Sequence, residues 1–249
     1  MQECGRVMPG LEGIDVVVLA GGLGTRIRDV LGDTPKVLAP IDGRPFLDHL
    51  LDHLAALGAG RAVLSLGVGA GQVVDHLARG TAPLPVLPVV EAAPLGTAGA
   101  LRHVLPSLTG DPVMVLNGDT WLDADFTAFL AEHRRIGLPV SLLCVEVADI
   151  SRYGHVDLDG DGVLTRFAEK DTSAAGPGLI NGGACLLSRK ALDRLAASGG
   201  PSLERDFLAS LPPGWISGWR AEGAGFIDIG TPASLAEAGA VIARRKGDA

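Results

Sequence analysis

The chain has 249 residues, 47% of them hydrophobic and 4% aromatic, with a formal net charge of −8 and a mean hydropathy of +0.31. That length suits one α/β domain without an interdomain linker, and the apolar content excludes a disordered chain. The negative balance excludes a sequence-independent grip on nucleic acid, which Lys and Arg supply by neutralising phosphates, so a phosphate-bearing ligand has to be met by local cations. Cys4, Cys144 and Cys185 are scattered without CxxC spacing, which indicates neither a disulfide framework nor a zinc site and fits a reducing compartment. Residues 1–13 carry Glu3, Arg6 and Glu12 without an apolar core; this is no secretory signal, and no later run is long enough for a membrane span. The expectation is a soluble, cytoplasmic protein with one domain over 1–249, a flexible extension over 1–13, and no membrane or nucleic-acid partner.

In chain order, an apolar run over 14–19 breaks into Ala20, Gly21, Gly22, Gly24 and Thr25, with Arg26 and Lys36 following. This is a strand, then a phosphate cradle, then two cations, because glycines without Cβ let backbone N–H groups converge on an anion. The dinucleotide fingerprint fails, since its third small position, counted from Gly22 and Gly24, is Ile27; a Walker loop fails for want of Gly-Lys-Ser/Thr. Pro45 opens a helix over 46–57 on which Phe46, Leu47, Leu50, Leu51, Leu54 and Leu57 recur at helical spacing, and Gly58 ends it. A strand over 62–66, a βα turn at Gly67-x-Gly69-x-Gly71 and a helix through 73–77 follow, an alternation that predicts a mainly parallel sheet with helices on both faces. The strand over 86–90 delivers Glu91 and the small-residue run 94–100 to its C-terminal end, where ligands of open α/β sheets collect. There a flat base can lie on backbone while a carboxylate accepts from its N–H groups. The strand over 113–116 ends in Asn117-Gly118-Asp119, a place for a hard divalent cation. Asp123 and Asp125 read as capping and first-turn acids of a helix over 126–136.

After a strand over 139–147, the segment 155–163 begins like a calcium loop with Asp157, Asp159, Asp161 and Gly162, but its twelfth position is Ala168 and not Glu. Residues 159–162 therefore read as a hairpin turn, whose second arm over 163–167 leads to Glu169-Lys170. Ser202 caps a short helix with Leu203, Phe207 and Leu208 on its apolar side; Glu204 and Asp206 could touch a substrate there, but a solvated first turn is the simpler reading. Asp228 sits between apolar neighbours, where a bare carboxylate is costly unless paired or bound to a cation, and Thr231-Pro232 opens a last helix ending in Arg244-Arg245-Lys246.

GGxGTR with Pro35-Lys36 and Leu38-Ala39-Pro40, then Pro94-Leu95-Gly96-Thr97-Ala98-Gly99-Ala100, Asn117-Gly118-Asp119-Thr120, Glu169-Lys170, the Asn181 segment and GFIDIGTP ending at Pro232 together resemble the signature of the sugar-1-phosphate nucleotidyltransferases. The resemblance covers nearly the whole chain in the family's order. It implies a Rossmann-like, GT-A-like nucleotidyltransferase fold of the α/β class, a three-layer sandwich with a mixed, mainly parallel sheet. It also implies that Leu19, Ala20, Gly21, Gly22, Gly24 and Thr25 wrap a nucleoside triphosphate, that Arg26 supports the leaving pyrophosphate and that Lys36 contacts phosphate. Glu91, Gly96 and Thr97 fall on the base pocket, and Asp119 and Asp228 on Mg²⁺. Asn117, Glu169, Lys170 and Asn181 fall on the sugar phosphate, with Lys170 at its phosphate and Glu169 at sugar hydroxyls; Asp171 stands where many relatives have proline. Within the family the likeness runs, through GGLGTRIRDVLGDTPKVLAPIDGRPFLDHLL, NGDTW and GFIDIGTP, to members that use GTP and a heptose 1-phosphate.

The implied chemistry is in-line attack of a sugar phosphate oxygen on the α-phosphorus with release of pyrophosphate. It needs charge neutralisation and no general base, since a phosphate monoester is already largely ionised near neutral pH, so no histidine is assigned a role. A hexose 1-phosphate such as mannose 1-phosphate, with ATP or another NTP, is the alternative substrate pair. The Glu169-Lys170 pair and Asn181 disfavour a molybdopterin or alditol-phosphate nucleotidyltransferase, and the presence of both aspartates disfavours a non-catalytic nucleotide-binding regulator. The alanine-rich last helix can pack on its own domain or on a second copy as a homodimer.

Overall fold

Short apolar runs build the centre of the sheet: β1 (Asp15–Leu19), β2 (Ala62–Leu66), β3 (Val86–Val90) and β4 (Val113–Asn117). In this computed structural model, which describes residues 10–22, 24–168 and 176–244, they pair in the order 3-2-1-4, all parallel. β1, β2 and β4 are buried almost throughout, as parallel strands covered on both faces must be. β3 is the edge and carries Pro88, which an edge strand tolerates. Strands β5 (Val140–Val147), β6 (His155–Leu158), β7 (Leu164–Ala168), β8 (Gly178–Leu187) and β9 (Ile216–Arg220) complete a nine-stranded mixed sheet.

Strand β8 joins the two halves. It runs antiparallel to β4 through Ala184–Leu187 and to β5 along its length, and its register slips between Asn181 and Ala184. Gly183, in that bulge, has φ 82°, and a Cβ there would stand 2.9 Å from Asn117 Nδ2, so only glycine lets β8 pass Asn117 so closely.

Alternate residues of β1 feed two cores. Val16 and Val18 meet Leu47, Leu51, Leu54, Val73, Phe126 and Phe129 from helices Phe46–Ala56, Ala70–Arg79 and Phe126–Ile136. Val17, on the other face, meets Leu101, Val104, Leu192 and Leu195 from helices Gly96–Val104 and Arg189–Ala196. The result is the expected three-layer α/β sandwich. A third cluster packs Ala238 and Ile242 of the last helix, Pro232–Arg244, on Ile41, Phe46, Trp121 and Ile227, so that helix lies on its own chain.

Some local expectations change. Leu11, placed in a flexible extension, is fully buried, with its N–H on Leu57 O at 2.9 Å; burial of a leucine and a paired backbone make 11 part of the domain, while 1–9 lie outside the described residues. Asp125, and not Asp123, caps Phe126–Ile136 by accepting Ala128 N–H at 2.8 Å. Asp159 accepts the N–H groups of Asp161 and Val163, closing the hairpin turn. The segment after Ser202 is a single wide turn, Leu203–Phe207, of π-helical pattern.

The Gly67-x-Gly69 run does more than connect β2 to its helix. A Cβ on Gly67 would meet Gly21 O at 2.7 Å and Gly21 Cα at 3.0 Å, and one on Gly69, where φ is 75°, would meet Pro35 Cγ at 2.5 Å. These glycines are the floor under the loop after β1 and under Pro35-Lys36. At the opposite end of the sheet Asp15, 3% exposed, accepts Thr109 N–H at 2.6 Å and Gly110 N–H at 2.8 Å and pairs with Arg61. Burial alone would raise its carboxyl, but Arg61 and the two N–H groups outweigh that and hold it below the ordinary carboxylate value.

Two outcomes follow for stability. Asp15→Ala should cost about 3 kcal/mol in denaturant titration at pH 7, because it leaves the Thr109 and Gly110 N–H groups without their acceptor and takes the carboxylate partner from Arg61. Since the folded pKa is depressed, the deficit should shrink as pH falls below about 4 and through the folded value; an unchanged midpoint at pH 7 would refute the bracket. Gly67→Ala should destabilise by about 1–3 kcal/mol in thermal melts through the backbone contact with Gly21.

Candidate active site

The parallel strands all end on one side of the sheet, so loops far apart in sequence meet there. A cleft of about 570 Å³ is lined by Gly22, Gly24, Thr25 and Arg26 after β1, by Lys36, by Asn117 and Asp119 at the end of β4, by Asn181 in β8 and by Asp228. An adjoining cavity of about 370 Å³ shares Gly22, Lys36, Asn117 and Asp119 with it and adds Leu19, Ala20, Gly21, Glu91, Gly96 and Thr97. Every described residue to which the sequence assigned a role thus faces one of two joined cavities. Glu169 and Lys170 lie outside the described residues.

A two-stranded ribbon sets the carboxylates side by side. Thr120–Asp123 pairs antiparallel with Gly225–Asp228, Asp228 opposite Thr120, and Ile229 N–H donates to Asp119 O at 3.0 Å. Asp228 Oδ1 accepts Gly230 N–H at 2.6 Å. Burial raises the Asp228 carboxyl above its ordinary value and the neighbouring Asp119 raises it further, against the pull of Lys36, of the Gly230 N–H and of Arg152. Lys36 Nζ donates to Asp119 Oδ2 at 2.7 Å, with the lysine side chain 18% and the carboxylate 35% exposed. Two carboxylates opposing each other's charge make a place for a cation. The described residues contain no group of three or more His, Cys, Asp or Glu suited to a metal. A divalent ion here would take these two carboxylates and complete its shell with ligand oxygens and water, which is the habit of Mg²⁺.

Arg26 is exposed on the cleft and has no hydrogen-bond or ion-pair partner among the described residues, which leaves its guanidinium fork for an anion. Glu91, 9% exposed, accepts Ser65 Oγ–H at 3.3 Å and Leu95 N–H at 3.0 Å; it braces the small-residue run as well as lining the cavity. Thr97 Oγ1 accepts Leu203 N–H at 2.8 Å. None of the histidines lines either cavity. His49, His53 and His103 meet main-chain oxygens, His76 pairs with Asp48 and His133 meets Ser141.

The cleft also contains Tyr153 and Arg205, to which sequence reasoning gave no part, and Ser202 and Glu204, read from the sequence as a cap and a solvated first turn. Tyr153 stands edge-on to Phe226 with ring centroids 5.5 Å apart, under the Arg152 guanidinium. Burial raises its hydroxyl pKa, Asp228 adds to the rise and Arg152 opposes it. Ser202, which caps the wide turn, and Glu204 and Arg205 within it line the cleft, and Glu204 borders both cavities. Tyr153 is the sole tyrosine of an aromatic-poor chain, the one signal that could have drawn notice to it.

The sequence pattern of the nucleotidyl transferase family matches residues 15–245. Mannose-1-phosphate guanylyltransferase of Mycobacterium tuberculosis is 34% identical over 241 residues, 93% of this chain and 65% of that protein. D-glycero-alpha-D-manno-heptose 1-phosphate guanylyltransferase of Aneurinibacillus thermoaerophilus is 30% identical over 224 residues, 88% of this chain and 94% of that protein. The chain therefore spans less than two thirds of the mycobacterial relative's length. HddC from Yersinia pseudotuberculosis, also solved complexed with GMP-PN, has a similar structure, with a TM-score of 0.81 and 35% identity over 91% of this chain and 98% of its own. By the match along its length and by these relatives, the chain belongs to the nucleotidyl transferase family.

Proposed function

We propose that this protein transfers a nucleotidyl group from a nucleoside triphosphate to a sugar 1-phosphate and releases pyrophosphate, with GTP and a heptose 1-phosphate as the favoured pair. The observation that carries this is the gathering of Arg26, Lys36, Asp119 and Asp228 in one cleft that opens into a cavity framed by Gly21, Gly96 and Thr97. GTP is supported by the guanylyl-transferring relatives and by HddC complexed with GMP-PN, and the heptose by the Aneurinibacillus relative. The mycobacterial relative favours mannose 1-phosphate as a second acceptor. The cytoplasm suits Cys144 and Cys185, free thiols that burial pushes up to about 12 and so keeps unreactive.

The barrier is repulsion between anions. Two unit charges 4 Å apart oppose each other by about 4 kcal/mol at an effective dielectric of 20, and a phosphate monoester carries nearly two. The loop from Gly21 to Thr25 turns backbone N–H groups to the triphosphate, Arg26 meets the pyrophosphate as it leaves, and Lys36 adds positive charge between them and Asp119. Asn117 and Asn181 orient the acceptor, with Lys170 on its phosphate and Glu169 on its hydroxyls. Glu91 and Gly96 frame the base. Asp119 and Asp228 would hold Mg²⁺, which when bound neutralises phosphate oxygens and draws charge from the phosphorus under attack. The acceptor oxygen is already ionised, so no side chain has to remove a proton.

An NTP by sugar 1-phosphate matrix, read as pyrophosphate released with Mg²⁺, should light up with GTP and a heptose or mannose 1-phosphate; silence across a broad matrix would overturn the reading, and nucleotide binding without turnover would favour a regulator. Arg26→Ala should lower kcat by about 100-fold or more while leaving Tm unchanged, since the exposed side chain has no hydrogen-bond or ion-pair partner among the described residues. Asp228→Asn should abolish turnover and yet raise Tm without metal at pH 7. The amide can still accept from Gly230, and a carboxylate whose folded pKa is raised loses stability as pH climbs through that value. Below about pH 4, where Asp228 is protonated folded and unfolded alike, the gain should vanish. Mg²⁺ with GTP should raise the Tm of the wild type and not that of Asp228→Asn.

A further inference from the structure

We infer that Thr97 is a positioning residue whose hydroxyl holds the wide turn Leu203–Phe207 in place, so that the cavity framing the base and the cleft taking the acceptor are built on one shared seam. The inference rests on the transferase reading and assigns Thr97 a part other than contact with the base. Its Oγ1 accepts Leu203 N–H at 2.8 Å. Three other donors at the start of that turn are met locally: Arg205 N–H by Ser202 Oγ at 3.1 Å, Asp206 N–H by Ser202 O at 3.1 Å, and Ser202 N–H by Asp206 Oδ2 at 2.7 Å. The Leu203 donor alone among these reaches across the chain, and it reaches Thr97.

The rest of the helix Gly96–Val104 seals against the same segment. Ala98 N–H donates to Pro201 O at 2.8 Å, and Arg102 donates to Gly200 O at 2.6 Å. Gly96 has φ 72°, and a Cβ there would meet Pro201 O at 2.5 Å, so the seam admits only glycine at that point. Leu203 and Phe207 are buried in the core on the turn's inner side. What remains facing outward is Ser202, Glu204 and Arg205 on the cleft, with Glu204 bordering both cavities. A displaced Leu203 N–H would swing these side chains, and a buried donor without its acceptor is costly enough to cause that.

The test is Thr97→Val, which keeps the shape and removes the acceptor, beside Thr97→Ser, which keeps the hydroxyl. Thr97→Val should raise the KM for the sugar 1-phosphate by about tenfold, leave the Kd of GTP with Mg²⁺ within about twofold by calorimetry without acceptor, and speed amide exchange at Leu203 in the ligand-free protein; Thr97→Ser should restore all three. A Kd for GTP that weakens in step with the acceptor KM would overturn the inference and make Thr97 a base contact. So would unchanged exchange at Leu203. If the wild type transferred nothing across the substrate matrix, the transferase reading would fail, while the exchange comparison would still decide whether the hydroxyl holds the turn.

Discussion

Asp119 and Asp228 bring two mutually repelling carboxylates into one cleft, and the groups around them make that arrangement tolerable. Burial and Asp119 both work against ionisation of Asp228. In compensation Lys36 lies on Asp119 at 2.7 Å, and Gly230 N–H lies on Asp228 at 2.6 Å. Replacing either carboxylate by an apolar group would relieve the conflict, and with it the site's attraction for the proposed divalent ion. A site that keeps such a conflict gives up stability for chemistry.

The geometry is enforced by backbone contacts more than by side chains. The ribbon between Thr120–Asp123 and Gly225–Asp228 fixes the separation of the two acids, and the last helix clamps that ribbon from behind. On the other side of the cleft, the loop after β1 rests on Gly67 and packs beside Gly118, where a Cβ would meet Leu19 O at 2.7 Å. Glycine here serves close approach as well as positive φ, which is why the loop and its cations sit near enough to share ligands with the acids. Asp15, buried at the far end of the same sheet, ties β1 to the turn at Thr109 and Gly110, so the strand leading into the glycine loop is fixed at both ends.

Much of this was legible because it is local. The apolar runs of β1 to β4, the helix at Phe46, the loop from Gly21 to Thr25 and the small-residue run around Gly96 announce themselves by periodicity or by glycine content. Whatever depends on contact between distant segments was not. Lys36 and Asp119 were both singled out, but nothing in their spacing says that they pair. Nor does anything in the sequence say that the hydroxyl of Thr97 accepts the Leu203 N–H. Leu11, in a polar and glycine-rich stretch without periodicity, gives no hint that it packs beside the end of helix Phe46–Ala56. Leu203, Phe207 and Leu208 have apolar spacing that an α-helix and a wide turn share, so the pattern could not separate them.

The most direct measurement is crystallographic: crystals grown with Mn²⁺ and a non-hydrolysable GTP analogue, with the metal located by its anomalous scattering. The account predicts one strong peak in contact with the carboxylates of both Asp119 and Asp228 and with a phosphate oxygen, and the Arg26 guanidinium turned to the same phosphates. A nucleotide bound elsewhere, or one bound in the cleft with the ion touching neither aspartate, would contradict it.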